Sequence, residues 1–290
     1  MKSLLITGGT GFVGRHVLKY LPHDIQISIL TRKKLLSDER VTYLFGDIAN
    51  ARDVERAMKM SRPDMLLHLA WNVKGERYAY AEENRLWVDW TKHLVQTFFQ
   101  QGGRVFAGSG TCFEYDLAYR GDHVEDEDCH PLTPYGECKL EAMRTVAELS
   151  ERHDARFVWG RIFYPYGRGE ESRKLFSSAL TTWRKGETFV CKSPDSVLDY
   201  IHVEDVARHF TTFLQNGQIQ GIVNVSTGKG ESVRTMLETL AQASGYEKML
   251  SFSGGGGDTR IVGSAEKARR YGIFCQHTLA SGICDMLDVK

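Results

Sequence analysis

The sequence lacks an excess of charge of either sign: 37 Lys and Arg balance 37 Asp and Glu over 290 residues, for a formal net charge of zero. That balance withholds the broad positive field on which sequence-independent nucleic-acid binding depends. No apolar run approaches the roughly 20 residues that a membrane-spanning helix needs. The opening Met1-Lys2-Ser3-Leu4-Leu5-Ile6-Thr7 runs straight into glycines, so it reads as a strand and not as a signal peptide. Cysteine is sparse and scattered, since Cys112, Cys129, Cys138, Cys191, Cys275 and Cys284 form no C-x-x-C pair. Free thiols in a reducing compartment are expected, and no metal, because no tight ligand pair exists to nucleate a zinc site. The absences together lead to the expectation of a cytoplasmic protein with neither nucleic acid nor membrane as partner.

What is present is an ordinary globular balance, 42% hydrophobic and 26% charged. At about 100–200 residues per domain, the length suits one large α/β domain or two lobes sharing a core. Short apolar runs at Ser3–Thr7, Gln26–Leu30, Val41–Phe45, Met65–Leu69, Arg104–Ala107 and Arg156–Gly160 read as buried strands. Helical patterns lie near Val13–Leu21, Ala51–Ser61, Glu83–Gln101 and Tyr135–Arg152. This alternation predicts an α/β fold, a Rossmann-type doubly wound parallel sheet. Beyond about residue 161 the pattern becomes irregular, with turns at Tyr164–Gly169, Lys192–Asp195 and Gly254–Gly257. The division expected is a dinucleotide-binding domain over 1–165 and a smaller C-terminal substrate lobe over 166–290, some of whose segments return to the core. Trp87, Trp90, Leu94 and Phe98 form one apolar stripe, read as core packing with a dimer face as the alternative. A homodimer is the expected assembly.

The first strand leads into Gly8-Gly9-Thr10-Gly11-Phe12-Val13-Gly14 and then an amphipathic helix. Glycine is needed there so that the strand can turn sharply, so that backbone N–H groups can approach a pyrophosphate, and so that the helix can pack on the strand. The pyrophosphate then sits at the positive end of the helix. After the second strand come Thr31-Arg32-Lys33-Lys34, with no acid before Asp38. An acid there would hold a ribose 2′-hydroxyl, whereas the Arg32 fork suits a 2′-phosphate. NADP(H) is therefore the expected cofactor, with NAD(H) as the alternative. Asp47, in Gly46-Asp47-Ile48 after the third strand, falls near the adenine.

Tyr135 and Lys139, four apart on a predicted helix, share one face. A phenol with an ordinary pKa near 10 is a poor acid–base at neutral pH, and a fixed ammonium nearby favours its phenolate. Ser109 follows the fifth strand.

In order along the chain, GGTGFVG at 8–14, GDI at 46–48, LHLAW at 67–71, SGT at 109–111, YGECK at 135–139, RIFYPYG at 161–167, DYIHVEDVA at 199–207 and NVSTG at 224–228 resemble the extended short-chain dehydrogenases/reductases that act on nucleotide-linked sugars. The resemblance implies a catalytic set of Ser109, Tyr135 and Lys139. It implies a cofactor held by Gly8, Gly11, Phe12, Val13, Gly14, Thr31, Arg32, Asp47, Ile48, Leu69 and Ala70 together with Tyr135 and Lys139. It also implies a nucleotide-diphosphate sugar as partner, lined by Thr111, Tyr164, Arg168, His202 and Arg260. Arg168 and Arg260 would offer paired charge-assisted hydrogen bonds to the diphosphate. The acidic stretch Asp122–Asp128 reads as a solvated loop and not a metal site.

Departures from the family pattern bear on the reaction. The 4,6-dehydratases place an Asp-Glu pair straight after the catalytic hydroxyl, where this chain has Gly110 and Thr111. The 3,5-epimerase/reductases place a cysteine at the position of Thr111, and Cys112 is one residue late. With Arg32 favouring a 2′-phosphate, and Tyr164 in place of the family's Asn, the expected function is NADPH-dependent reduction of a nucleotide-linked 4-keto-6-deoxy sugar to the 6-deoxyhexose nucleotide. The alternative is an NAD-dependent nucleotide-sugar 4-epimerase, and a rival of another class is a non-catalytic nucleotide-sensing protein.

Overall fold

A computed structural model describes residues 2–75, 77–254 and 259–288. Five apolar runs form the strands β1 (Ser3–Thr7), β2 (Gln26–Thr31), β3 (Val41–Phe45), β4 (Met65–His68) and β5 (Val105–Thr111). All four neighbouring pairs among them are parallel, in the order β3-β2-β1-β4-β5. Arg156–Ile162 and then Gly221–Val225 continue that order beyond β5, giving seven strands. This is the Rossmann-type sheet that the alternation predicts. Its strands are apolar on both faces because both faces are covered by helices.

The helices are α1 (Phe12–Tyr20), α2 (Ala51–Ser61), α3 (Glu83–Gln100), α4 (Pro134–Arg152), α5 (Leu175–Arg184), α6 (Val203–Gln215), α7 (Val233–Ser244), α8 (Glu266–Arg270) and α9 (Leu279–Leu287). Their starts follow local chemistry. Asn50 accepts from Arg52 N at the head of α2, and Thr133 caps α4 with Pro134 in its first turn.

Two compact units arise. The first comprises Met1–Asp116, Asp128–Arg161 and Ala207–Val223; the second comprises Leu117–Glu127, Ile162–Val206 and Asn224–Lys290. The chain thus returns to the first unit after leaving it. In the first unit Leu5, Leu66, Phe106, Val54, Met143 and Trp159 share one core with the α3 stripe: Trp87, Leu94 and Phe98 are buried in it and Trp90 packs against it. The stripe is core packing. The second unit has its own core, built on Phe176, Trp183, Met236, Leu240 and Ile283 of α5, α7 and α9. Of the turn expected at Gly254–Gly257, residues 255–257 lie outside the described residues. Among the described residues no helix is long and apolar enough to cross a membrane.

Candidate active site

The carboxyl ends of β1, β4 and β5 lie side by side in the first unit, where doubly wound sheets place ligands. Leu69 N donates to Thr7 O at 3.0 Å, which ties the end of β4 to that of β1. Gly8 follows with φ +75°, and a Cβ there would stand 2.7 Å from Ala70 N. A Cβ on Gly14 would stand 2.3 Å from Gly8 O, so only glycine lets α1 pack this closely on the turn. Gly11, at the N-cap of α1, provides no capping side chain, and the first turn holds no acid. The positive end of that helix is therefore not neutralised by its own residues. The turn fits the pyrophosphate of a dinucleotide.

At the other end of the expected cofactor site, Thr31 closes β2 and its Oγ1 accepts from Lys33 N at 3.2 Å. Arg32 is 79% exposed, and its guanidinium lies 3.9 Å from the Asp47 carboxylate. The Asp47 loop is fixed by Asp47 N donating to Asp53 Oδ2 and by Ala49 N donating to Asp47 Oδ1, both at 3.0 Å. Ile48 is buried beside it. The cation expected to stand ready for a 2′-phosphate thus already faces a carboxylate.

Tyr135 lies in the first turn of α4, buried among the rings of Tyr78, Phe113 and Trp71, whose centroids are 5.2, 5.9 and 6.3 Å away. Its hydroxyl is hydrogen-bonded to the side chain of Thr111. Burial pushes the phenol well above its ordinary pKa of 10, Tyr78 adds to this, and the Thr111 bond opposes it. Lys139, one turn on, is also buried; its Nζ donates to the backbone O of Ser109 at 2.7 Å and stands 4.0 Å from the Trp71 ring centroid. Burial lowers the Lys139 pKa to about 7, against the pull of Glu114.

Of Ser109, expected to be catalytic through its hydroxyl, it is the backbone carbonyl that meets Lys139, and the hydroxyl beside the phenol is that of Thr111. Extended backbone puts residues 109 and 111 on one face of β5, so spacing alone does not choose between them. Counted from Thr111, the next two places hold Cys112 and Phe113, so no acid follows this hydroxyl either.

Glu114 escaped the sequence reading. It is fully buried; Oε1 accepts from Thr111 N and Trp159 Nε1, each at 2.9 Å, and Oε2 from Arg161 Nε at 2.8 Å. Thr111 Oγ1 in turn accepts from Phe113 N at 3.3 Å, and the two residues close a capping box around a single turn. The Thr-x-x-Glu spacing was the available signal. Burial works against the charge of Arg161, but Glu114 more than offsets it and holds the guanidinium above its ordinary pKa.

Below its ordinary 10.5, Lys139 gives a prediction whose sign follows from proton counting. Between about pH 7 and 10.5 the unfolded chain binds a proton at this lysine that the folded chain does not, so folding gains stability as pH rises. Relative to a Lys139→Met variant, the parent is expected to gain about 1.4 kcal/mol per pH unit between pH 7.5 and 9.5. Denaturant unfolding of both proteins across that range measures it, and a flat difference would show that the amine is not buried.

In the second unit, the expected substrate residues already have partners. Arg168 donates to Asp288 Oδ1 and to the Asp285 carbonyl, both at 2.9 Å. Arg260 is hydrogen-bonded to Asp122; Asp258, in the same stretch, lies outside the described residues. Tyr164 packs on Tyr200 with ring centroids 5.5 Å apart. His202 is buried, its ring 4.0 Å from that of His277.

A seven-stranded sheet of Rossmann order, a glycine turn shaped for pyrophosphate and a buried Tyr-x-x-x-Lys pair define a dinucleotide-dependent enzyme. The NAD dependent epimerase/dehydratase family model matches residues 4–226, and the chain belongs to that family. UDP-glucose 4-epimerase of Azospirillum brasilense is 26% identical, with 97% of this chain and 89% of that protein aligned. UDP-glucose 4-epimerase of Halalkalibacterium halodurans is 27% identical, over 92% of this chain and 88% of its own length. The crystal structure of Thermus thermophilus UDP-glucose 4-epimerase in complex with NAD superposes with a TM-score of 0.85 at 22% identity, covering 99% and 98% of the two chains. At that identity the superposition establishes the fold.

These relatives correct the expected function. NADPH-dependent reduction of a 4-keto-6-deoxy sugar rested on Arg32 and Tyr164, yet the relatives that align along nearly the whole chain are named 4-epimerases. The physical weakness of that expectation was its reliance on Arg32, an exposed cation 3.9 Å from Asp47 that does not by itself choose between a ribose hydroxyl and a 2′-phosphate.

Proposed function

We propose that the chain is a nucleotide-sugar 4-epimerase that keeps its NAD(H). The observation that carries this reading is the pairing of Tyr135 with Thr111 beside buried Lys139, with no carboxylate among the described residues placed to eliminate water. Glu114 does not fill that role, because three donors already hold its oxygens. The names of the relatives support the reading, and with it a UDP-linked hexose as the first substrate to try.

Gly8, Gly11, Phe12, Val13 and Gly14 would hold the pyrophosphate, Thr31, Arg32, Asp47 and Ile48 the adenosine end, and Leu69, Ala70 and Lys139 the nicotinamide side. When bound, NAD(H) supplies reversible hydride acceptance at the sugar carbon. Proton movement belongs to the chain: Tyr135 Oη takes the proton of the 4-hydroxyl and later returns it to the same oxygen. Thr111 Oγ1 favours the phenolate through its hydrogen bond, and Lys139, when protonated, adds a positive charge in a site where burial strengthens it. Epimerisation returns the hydride, so it needs no pool of reduced cofactor, and NAD(H) is the form that goes with it. A diphosphate would take up Arg168 and Arg260 by displacing Asp288 and Asp122. Exposed ion pairs of this kind are weakened by solvent screening, so the exchange is cheap.

Purified protein is expected to release about one NAD(H) per chain on denaturation and to convert UDP-glucose to UDP-galactose with no cofactor added. Recovery of NADP(H) instead, or conversion that depends on added reduced nucleotide, would contradict the reading. Within the site, Thr111→Val is expected to lower turnover about 10²–10³-fold and Ser109→Ala no more than a few-fold. The reverse ranking would return the role to Ser109.

A further inference from the structure

We propose a zinc-type divalent-cation site in the second unit, formed by His202, Glu204 and His277, with Asp285 beside His202. The ligating atoms of His202, Glu204 and His277 all lie within 4.8 Å of one another. His202 Nε2 is 3.4 Å from Asp285 Oδ2, and His277 Nε2 is 3.6 Å from Glu204 Oε2. In a tetrahedral zinc centre with bonds of about 2.0–2.2 Å, ligand atoms stand about 3.3–3.6 Å apart, so the His277–Glu204 contact already has the required span.

A second observation points independently to a ligand. His202 is 1% exposed, and among the described residues neither of its ring nitrogens has a hydrogen-bond partner; the buried Nδ1 of His277 also has none there. Orphaned buried polar atoms of this kind are costly unless water or an ion satisfies them. Two imidazoles and a carboxylate form a mix of nitrogen and oxygen ligands that suits zinc better than magnesium or calcium.

The supporting frame is in place. His202 and Glu204 flank the start of α6, and Asp205 in its first turn accepts from Gln276 N at 2.9 Å and His277 N at 3.0 Å. One carboxylate thereby locks the loop carrying His277 against the turn carrying the other two ligands. Asp285, on α9, is 39% exposed and gives an entry path from solvent. Arg168 bonds the Asp285 carbonyl on the backbone side and leaves its carboxylate facing His202.

The site does not depend on the proposed reaction. Full-length protein stripped with a chelator and dialysed is expected to bind one Zn²⁺ per chain in calorimetric titration, and Mg²⁺ not at all. Affinity for Zn²⁺ is expected to fall at least about 10-fold in His277→Gln and in Glu204→Gln. Co²⁺ in the parent is expected to give the visible bands of a four-coordinate ion with no thiolate-to-metal band, a readout that needs no variant to fold. Failure to bind stoichiometrically, unchanged affinity in both variants, binding of Mg²⁺ as tight as Zn²⁺, or a thiolate band would each overturn the site, the last by moving the metal to a cysteine.

Discussion

Turnover of UDP-glucose by a Tyr135→Phe variant is expected to fall about 10²–10⁴-fold, the range over which positioned acid–base groups act, while the NAD(H) content of the purified protein stays unchanged. The substitution keeps the ring that packs against Tyr78, Phe113 and Trp71 and removes only the hydroxyl. What is lost from the fold is one hydrogen bond to Thr111, worth about 0.5–1.5 kcal/mol, so the thermal midpoint should move little. Steady-state assays with cofactor quantified in the same preparation separate the two effects. Near-normal turnover would remove Tyr135 from the chemistry. Loss of turnover together with loss of cofactor would make it a packing residue.

The second large effect concerns stability. Glu114→Gln is expected to destabilise the chain by about 3–5 kcal/mol, because it leaves the Arg161 guanidinium buried without its counter-charge. The amide also brings a donor to a position where three donors already converge. Turnover should fall as well, since the turn that presents Thr111 is closed by the same carboxylate. Adding Arg161→Met removes the orphaned charge and is expected to recover most of the stability, as exchanging a whole buried pair for apolar packing often does. Chemical denaturation of parent, single and double variants measures this. A single variant as stable as the parent would mean that the pair is not buried as described.

How much of this was legible in the sequence depended on distance along the chain. The glycine turn at 8–14 and the Tyr135–Lys139 pair each occupy a few consecutive residues, so local geometry fixes their meaning. The five parallel strands were legible for the same reason: each is a short apolar run bounded by turns. The sequence points to Ser109 where the structure sets the Thr111 hydroxyl by the phenol, because the two share a strand face and the choice depends on how β5 meets α4. Glu114 looked like one acid among many, since its partners Trp159 and Arg161 lie 45 and 47 residues away. Arg168 and Arg260 looked like unengaged cations because Asp288 and Asp122 are 120 and 138 residues distant. Composition and spacing report periodic and local features; pairing across folded elements has no periodicity to read.

The most direct test of the account follows UDP-glucose carrying deuterium at carbon 4, incubated with purified protein and no added nucleotide cofactor. The expected result is UDP-galactose that still carries the deuterium at carbon 4, because the hydrogen leaves that carbon and returns within one active site while Tyr135 exchanges only the oxygen-bound proton. Product that has lost the label to solvent, or that forms only as added reduced nucleotide is consumed one for one, would contradict it.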